Sequence, residues 1–386
     1  GHNVSVTDYA HTLYIRASWT DFNPQEDVYG WKIDSNLRAY IEGAYQRNMR
    51  LAFRVVVDSR DKRTEFTPQF VKDAGAKGFM NKGKWSPYSD DPVFQKYYTK
   101  FVKALAKDFN DPSKVEFIDG FGLGKWGEYH TMIYSTGDDT PKKAVFDWVT
   151  DIYSQAFDKV PVVINYHRWI GAGKDWVDDE HFAADSEEML EEAIKKGYSL
   201  RHDAFGMTTY YGSWERRFAK KYRNICPIIM EGGWIVKSHS YWQDPRGYRK
   251  DSHEDVRRGE FDDSKEAHVN MMDFRFGDTE SWFKDAFDLV RRFLREGGYR
   301  LYPSEISLPL EVSKKTTPTI KHCWNNLGWG YCPTNIPQWN QKYKVAFALL
   351  DSETNEVRYT FVDTNTDLSK WIKGSPAEYV FEPDMS

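Results

Sequence analysis

Cysteine is scarce, with three in 386 residues. That excludes a disulfide scaffold, and no CxxC pair offers a metal knuckle, so the fold must rest on an apolar core. Cys226 sits in an apolar run and reads as a buried free thiol. Cys323 and Cys332 bracket the loop HCWNNLGWGYC, where a disulfide is open to them in an oxidising compartment. Long hydrophobic runs are missing too: none approaches the ~18 residues of a membrane span. Basic excess is absent, the formal net charge being -5, which argues against a nucleic-acid partner. There is no P-loop, no G-x-S-x-G elbow and no HExxH pair, and the ten histidines are scattered, so neither a metal nor a cofactor is expected. The opening Gly-His-Asn reads as a cloning remnant joined to a mature protein, so the lack of a leader says nothing about secretion.

Aromatic residues are abundant. They make up 16% of the chain, with 15 Trp, 24 Tyr and 24 Phe, more than a core requires. Sugar rings present C–H faces that stack on such side chains, so Trp19, Trp126, Trp169 and Trp234 are candidate stacking platforms, with a Trp-rich core as the plainer explanation.

Apolar strand-like runs alternate with amphipathic helical ones. Strands are expected at Thr12–Trp19, Arg50–Val57, Val115–Phe121, Val160–Tyr166, Phe205–Tyr210, Cys226–Glu231 and Val269–Phe274. Helices are expected at Asp34–Asn48, Asp91–Asn110, Pro141–Phe157, Ser186–Lys196, Asp251–His268 and Ser281–Glu296. Such alternation specifies a mainly parallel sheet. An eight-stranded (β/α)8 barrel over residues 1–300 needs one more strand, hidden near Gly78–Lys84; a doubly wound sheet is the rival. After residue 300 the runs Lys342–Leu350, Glu356–Val362 and Ala377–Phe381 predict a small antiparallel β-sandwich domain, 301–386.

Barrel active sites lie at the C-terminal ends of strands. Glu128 follows the run VEFIDGF, and Glu231 ends CPIIME. They stand about a hundred residues apart, close to three strand–helix repeats of ~30 residues, and count as fourth- and seventh-strand positions. Two carboxyls flanking a glycosidic bond can protonate the leaving oxygen and attack the anomeric carbon or activate water. Around them Arg54, His130, Tyr166, His167, Arg168, Tyr210, Tyr211 and Asp273 are candidate substrate-binding residues, Tyr210 as a donor to Glu231. Arg54, Arg60, His167 and Arg168 together would suit a carboxylated or sulfated sugar, although ordinary ion pairs account for the same residues.

Gly122, Gly124 and Gly127 match G-x-G-x-x-G after a strand, yet no helix opens there to receive a pyrophosphate. The glycines read instead as a sharp backbone bend around Glu128.

With RASWTDFNPQEDVYGW after the first strand, the DPVFQKYYTKFVKALAKDF helix, the segment ending WGE, and IIMEGGW, residues 12–300 resemble the clan A retaining glycosidases, most closely the family 42 β-galactosidase type. The resemblance implies Glu128 as acid/base, Glu231 as nucleophile, a sixth-strand tyrosine (Tyr210 or Tyr211) against the nucleophile, a carbohydrate substrate and a secreted, periplasmic or outer-surface bacterial protein. It departs at Gly127, where the clan usually has an Asn that contacts the sugar 2-hydroxyl. That departure keeps open a non-catalytic carbohydrate-binding barrel, and Asp273 as base keeps open an inverting hydrolase.

Overall fold

The computed structural model describes residues 5–60, 64–174, 180–207, 210–233, 244, 246–249, 251–274, 279–313 and 316–384. Six parallel strands form one curled sheet in sequence order: β1 (Thr12–Ser18), β2 (Arg50–Val56), β3 (Val115–Asp119), β4 (Val162–Asn165), β5 (Ser199–Phe205) and β6 (Ile228–Gly232). The crossovers carry α1 (Ser35–Gln46), α2 (Pro92–Phe109), α3 (Lys142–Ala156), α4 (Glu180–Lys195) and α5 (Ser213–Tyr222); α6 (His253–Glu266) and α7 (Phe287–Glu296) follow β6. This is the α/β, barrel-type order that the alternation predicts. Helix starts obey local chemistry: the Asp34 carboxylate accepts from Leu37 N at α1, and Asp91 accepts from Val93 and Phe94 N at α2, where Pro92 stands at the first position.

Three expectations are corrected. Gly78–Asn81 is no barrel strand; it pairs antiparallel with Lys84–Pro87 through a two-residue turn, Lys82-Gly83, with φ of 48° and 76°. Two successive positive φ values define the tight hairpin that Gly favours. β2 therefore bonds β3 directly, Leu51 opposite Val115. The strand expected at Phe205–Tyr210 is β5, starting six residues earlier in SLRHDAF, where inward-facing charges mask the apolar signal. Val269–Phe274 makes a single parallel bridge, Met271 to Ile229. Glu128 thus follows the third bonded strand and Glu231 lies near the end of the sixth, still three apart.

Side chains alternate across each strand, so residues two apart share a face. Inside the curl one layer is apolar: Ala52, Phe117, Val163 and Ile229, with Tyr14 and Met271 packed on them. Two residues further along each of those segments stand Arg54, Asp119, Asn165, Glu231, Arg16 and Asp273. Each of these segments thus contributes one residue to an apolar plug and one polar residue to the layer above it, the stacking of a packed barrel interior, while β5 puts Ser199 against Trp339 at the plug level. The opposite faces, including Leu51, Phe53, Val55, Ile118, Ile164 and Leu200, join the helices in the main core.

After the last helix come β7 (Leu301–Ser307), β8 (Ile320–Asn326), β9 (Val345–Leu350), β10 (Val357–Asp363) and β11 (Ala377–Phe381), all antiparallel, in a three-stranded sheet β11-β8-β7 and a two-stranded sheet β9-β10. The segment between β8 and β9 closes the barrel floor. Trp339 joins the apolar plug, and its indole N–H donates to Ser199 Oγ at 2.9 Å. Trp329 enters the main core and donates to the Val269 carbonyl at 2.8 Å. Cys226, Cys323 and Cys332 are all free thiols, so the disulfide open to the last two is not formed.

Because Trp339 fills the floor, Trp339→Ala is expected to lower the unfolding free energy by about 3 kcal/mol. Urea unfolding followed by circular dichroism measures it; a loss under about 1 kcal/mol would mean the floor does not depend on this residue.

Candidate active site

β1 and β2 pair in register, placing Arg16 beside Arg54. Two like charges side by side destabilise a sheet unless anions intervene. The anions come from the other strands. Arg54, fully buried, donates through Nε to Asp119 at 2.9 Å and through Nη2 to Asp203 Oδ1 at 2.9 Å, while its Nη1 lies 2.6 Å from Asp203 Oδ2. Arg201 donates to Asp203 at 3.2 Å, to Glu231 at 2.8 Å and to Asp273 at 3.2 Å. Tyr14 donates to Asp119, and its ring lies under the Arg201 guanidinium at 4.4 Å. Burial opposes the charge on both arginines, but Asp119 and Asp203 around Arg54, and Tyr14 with Asp119 and Glu231 around Arg201, outweigh it and raise their pKa values well above the ordinary one.

Glu231 and Glu128 stand at the mouth of this lattice, 4% and 6% exposed. Arg16 touches both carboxylates, Nη1 3.7 Å from Glu231 and Nη2 3.7 Å from Glu128. The two carboxylates differ in surroundings. Glu231 accepts from Arg201 and also faces Arg54 at 3.9 Å. Glu128 has His130 Nε2 and the Tyr210 hydroxyl each 3.3 Å from Oε2. Burial and then the Asp203 charge push the Glu128 pKa up, against smaller opposing pulls from His130 and Arg16.

The loop that carries Glu128 is strained. Between residues 122 and 131, three non-glycine residues take positive φ: Trp126 at 59°, Tyr129 at 60° and Thr131 at 50°. Each costs of order 1–3 kcal/mol and persists only where surrounding contacts enforce it. Here they do. His167 Nε2 donates to the Glu128 carbonyl at 2.7 Å, Arg16 to the Trp126 carbonyl at 2.9 Å, and Gly171 N to the Tyr129 carbonyl at 2.8 Å. His167 Nδ1 accepts from Trp169 N, which fixes the neutral tautomer, and burial holds its pKa well below the ordinary value. A Cβ at Gly122 would sit 1.9 Å from the Val55 carbonyl oxygen, and Gly127 has φ +73° with Val56 and Arg54 at 3.3 and 3.4 Å. The glycines therefore serve the bend, and the helical structure there is a single 3-10 turn, Lys125–Gly127, that ends on the third of them. No helix N-terminus is there to bind a pyrophosphate.

Of the residues expected from sequence, Glu128, Glu231, Arg54, His130, Tyr210 and Asp273 converge, with Trp126 half-buried beside His130 at 5.8 Å. His167 acts on the loop backbone rather than in the site. Tyr210, expected as a donor to Glu231, donates to Glu128 Oε2 at 3.3 Å, and Asn165 donates to its hydroxyl at 3.3 Å. Trp19 is fully buried among Phe70, Phe94, Tyr98 and Phe101, a core residue. Trp169 is buried and stacked on Tyr210 at 5.6 Å. Tyr166 and Tyr211 join the main core and bond each other at 3.1 Å; Tyr166, next after inward Asn165, takes the opposite face. Arg168 pairs with Glu215 at 3.0 Å, and Arg60 with Asp58. With Arg54 committed to Asp119 and Asp203, the expected anion-binding cluster does not assemble. Trp234 lies outside the described residues. Missed from the sequence were Tyr14, Arg16 as a bridge, Asp119, Arg201 and Asp203; the i, i+2 spacing of charges in SLRHDAF was the available signal. Among the described residues no group of His, Cys, Asp and Glu could hold a metal ion, and no helix is long and apolar enough to cross a membrane.

No family model matches the chain. No curated protein matches it either. Among solved structures, endo-glycoceramidase II from Rhodococcus sp. is similar at 13% identity over 98% of this chain and 91% of that one, with a TM-score of 0.43. Exo-beta-1,4-mannosidase Op5Man5 from Opitutaceae bacterium strain TAV5 is similar at 13% identity over 74% of this chain and 54% of that one, with a TM-score of 0.42. Likeness at this level carries no argument about activity.

A carboxyl whose folded pKa is raised favours the fold while protonated and loses that contribution as pH rises through the folded pKa. Glu128→Gln is therefore expected to be more stable than wild type at pH 8. The advantage should fade as pH falls through the raised pKa and vanish below about 4, the ordinary carboxylate range. Urea midpoints at several pH values give the answer, and equal stability at pH 8 would contradict the raised proton affinity.

Proposed function

We propose that the chain is a retaining glycoside hydrolase. The observation that carries this reading is the pair of buried glutamates bridged by Arg16, one surrounded by arginines and one with elevated proton affinity. Glu128 gives its proton to the glycosidic oxygen as the bond to the anomeric carbon breaks. Glu231, oriented by Arg201, forms the bond to that carbon. Water then gives its proton to Glu128 while its oxygen displaces Glu231. Tyr210 and His130 orient the acid, and Trp126 offers a face at the rim.

Arg16 contacting both carboxylates sets them within roughly 10 Å, a span that admits the separation a retaining enzyme uses. The substrate is a poly- or oligosaccharide. A β-galactoside-like unit follows from the sequence resemblance. Because Arg54, Arg60 and Arg168 each have an internal carboxylate, an uncharged sugar suits the site better than a sulfated or uronic one. A secreted or surface location accords with a polymeric substrate.

Wild type, Glu128→Ala and Glu231→Ala, assayed on aryl glycosides and plant, algal and host polysaccharides, should differ by at least about a hundredfold in kcat for the cleaved substrate. Early-time NMR of the product should show the anomer of the substrate. Folded variants with full activity would reject the assignment; the opposite anomer would make the enzyme inverting; glycan binding without cleavage would favour a binding protein.

A further inference from the structure

We propose that Arg16 is a substrate-binding and specificity-determining residue: its guanidinium donates to the hydroxyl on the sugar carbon next to the anomeric one. The assignment rests on the two-glutamate reading above and adds to it a group that touches the sugar. Three arginines stand close to the two carboxylates, and they are not equivalent. Arg54 and Arg201 are closed off from solvent and spend their donors on carboxylates, Arg54 at 2.9 Å from Asp119 and 2.6 Å from Asp203, Arg201 at 2.8 Å from Glu231. Arg16 differs on both counts. Its side chain is 26% exposed, and it stands 3.7 Å from an oxygen of each glutamate, beyond hydrogen-bond length. Among the described residues its guanidinium donates one hydrogen bond, from Nη2 to the Trp126 carbonyl at 2.9 Å. Nη1 and Nε keep their donors for what enters the mouth.

The guanidinium is in place before a ligand arrives. The β1–β2 register seats Arg16 beside Arg54, and the Trp126 carbonyl, held in a left-handed turn, fixes the far end of the side chain. A donor already oriented loses little freedom when it binds. The gap it leaves has a definite chemistry. Nη1 and Glu231 Oε1 are a donor and an acceptor 3.7 Å apart. A hydroxyl oxygen at roughly 2.8 Å from each satisfies both, accepting from the guanidinium and donating to the carboxylate.

The reaction decides which sugar oxygen belongs there. Glu231 bonds the anomeric carbon, so an oxygen touching Glu231 and Arg16 together sits on an atom adjacent to that carbon. Two oxygens qualify besides the scissile one, the ring oxygen and the 2-hydroxyl. The ring oxygen carries no hydrogen for Glu231. It also takes up positive charge in the oxocarbenium-like transition state, which a neighbouring guanidinium opposes. The 2-hydroxyl has the hydrogen and stays clear of that charge. Sugars with a hydroxyl at C2 are therefore preferred, and those lacking it leave Arg16 unmatched.

The test compares the aryl glycoside that the panel shows to be cleaved with its 2-deoxy counterpart, in wild type and in Arg16→Met. The greater intrinsic reactivity of the 2-deoxy substrate is the same for both proteins and cancels. The substitution should lower kcat/KM for the 2-hydroxyl substrate at least about tenfold more than for the 2-deoxy one. Equal losses on the two substrates would show that Arg16 only supports the carboxylates, which overturns the proposal and leaves the hydrolase standing. If Arg16→Met does not fold, Arg16→Lys, which keeps the charge and loses the fork of donors, decides by the same ratio. If wild type cleaves nothing, the hydrolase reading fails, and calorimetry with methyl glycosides and their 2-deoxy forms decides: an affinity advantage for the 2-hydroxyl that Arg16→Met abolishes supports the contact. Equal affinities, or no binding, overturn it.

Discussion

Two arginines buried inside the curled sheet constrain everything at its mouth. Arg54 and Arg201 are 0% and 1% exposed. Removing an ion of that size from water costs several kcal/mol, recovered only with well-placed partners. Arg54 has Asp119 and Asp203; Arg201 has Asp203, Glu231 and Asp273. Asp203 is common to both, so β2, β3, β5, β6 and the segment at Asp273 are tied through one set of charges. A change of one residue in strand register would turn each inward charge out toward the apolar helix layer. The lattice therefore fixes register as well as charge, and the apolar plug beneath it, capped by Trp339, keeps water from entering below.

On that base the two glutamates are positioned by different means. Glu231 belongs to a strand and inherits its placement from the sheet ladder. Glu128 sits in a loop whose backbone would relax if released, since Trp126, Tyr129 and Thr131 all hold unfavourable φ. Neutral His167 donates to the loop and accepts from Trp169, so a ring without charge links the loop to the segment after β4. A charged imidazolium there would lose the Trp169 bond and add a cation beside a buried acid. Burial, which makes His167 and His202 poor bases, thus keeps the acid's surroundings free of an extra positive charge; His202 is lowered to about 3 by the same cause.

Much of this was legible in sequence. Alternating periodicities gave the parallel order, and the ends of VEFIDGF and CPIIME pointed to Glu128 and Glu231. The glycines at 122, 124 and 127 were read as a bend, which their φ values match. What escaped shares one physical cause. β5, SLRHDAF, fills the interior with Arg201 and Asp203 and turns His202 to the aromatic layer, so neither face gives the hydrophobic signature of a strand. The fifth strand was consequently placed late, and its two charges were lost with it. Tyr166 failed for a related reason, while Trp19 opens a helical turn and Tyr211 lies in the loop after β5, both turned into the main core. Proximity in sequence to a strand end does not say which face a side chain takes, and only one parity in two reaches the site.

Gly127, where the resembled clan has Asn, has a structural origin. A side chain at 127 would need a left-handed backbone and a Cβ pressed between Val56 and Arg54. Arg54 approaches that point because it must reach Asp119 and Asp203, so the charged lattice and an asparagine at 127 compete for one volume. With glycine at 127 the two carboxyls remain unequal, one with elevated proton affinity and one ringed by guanidinium groups. A site that only held sugar would gain by relaxing the 122–131 loop and by ionising Glu128 toward solvent. Strain and suppressed ionisation are costs that acid–base chemistry uses and simple binding does not.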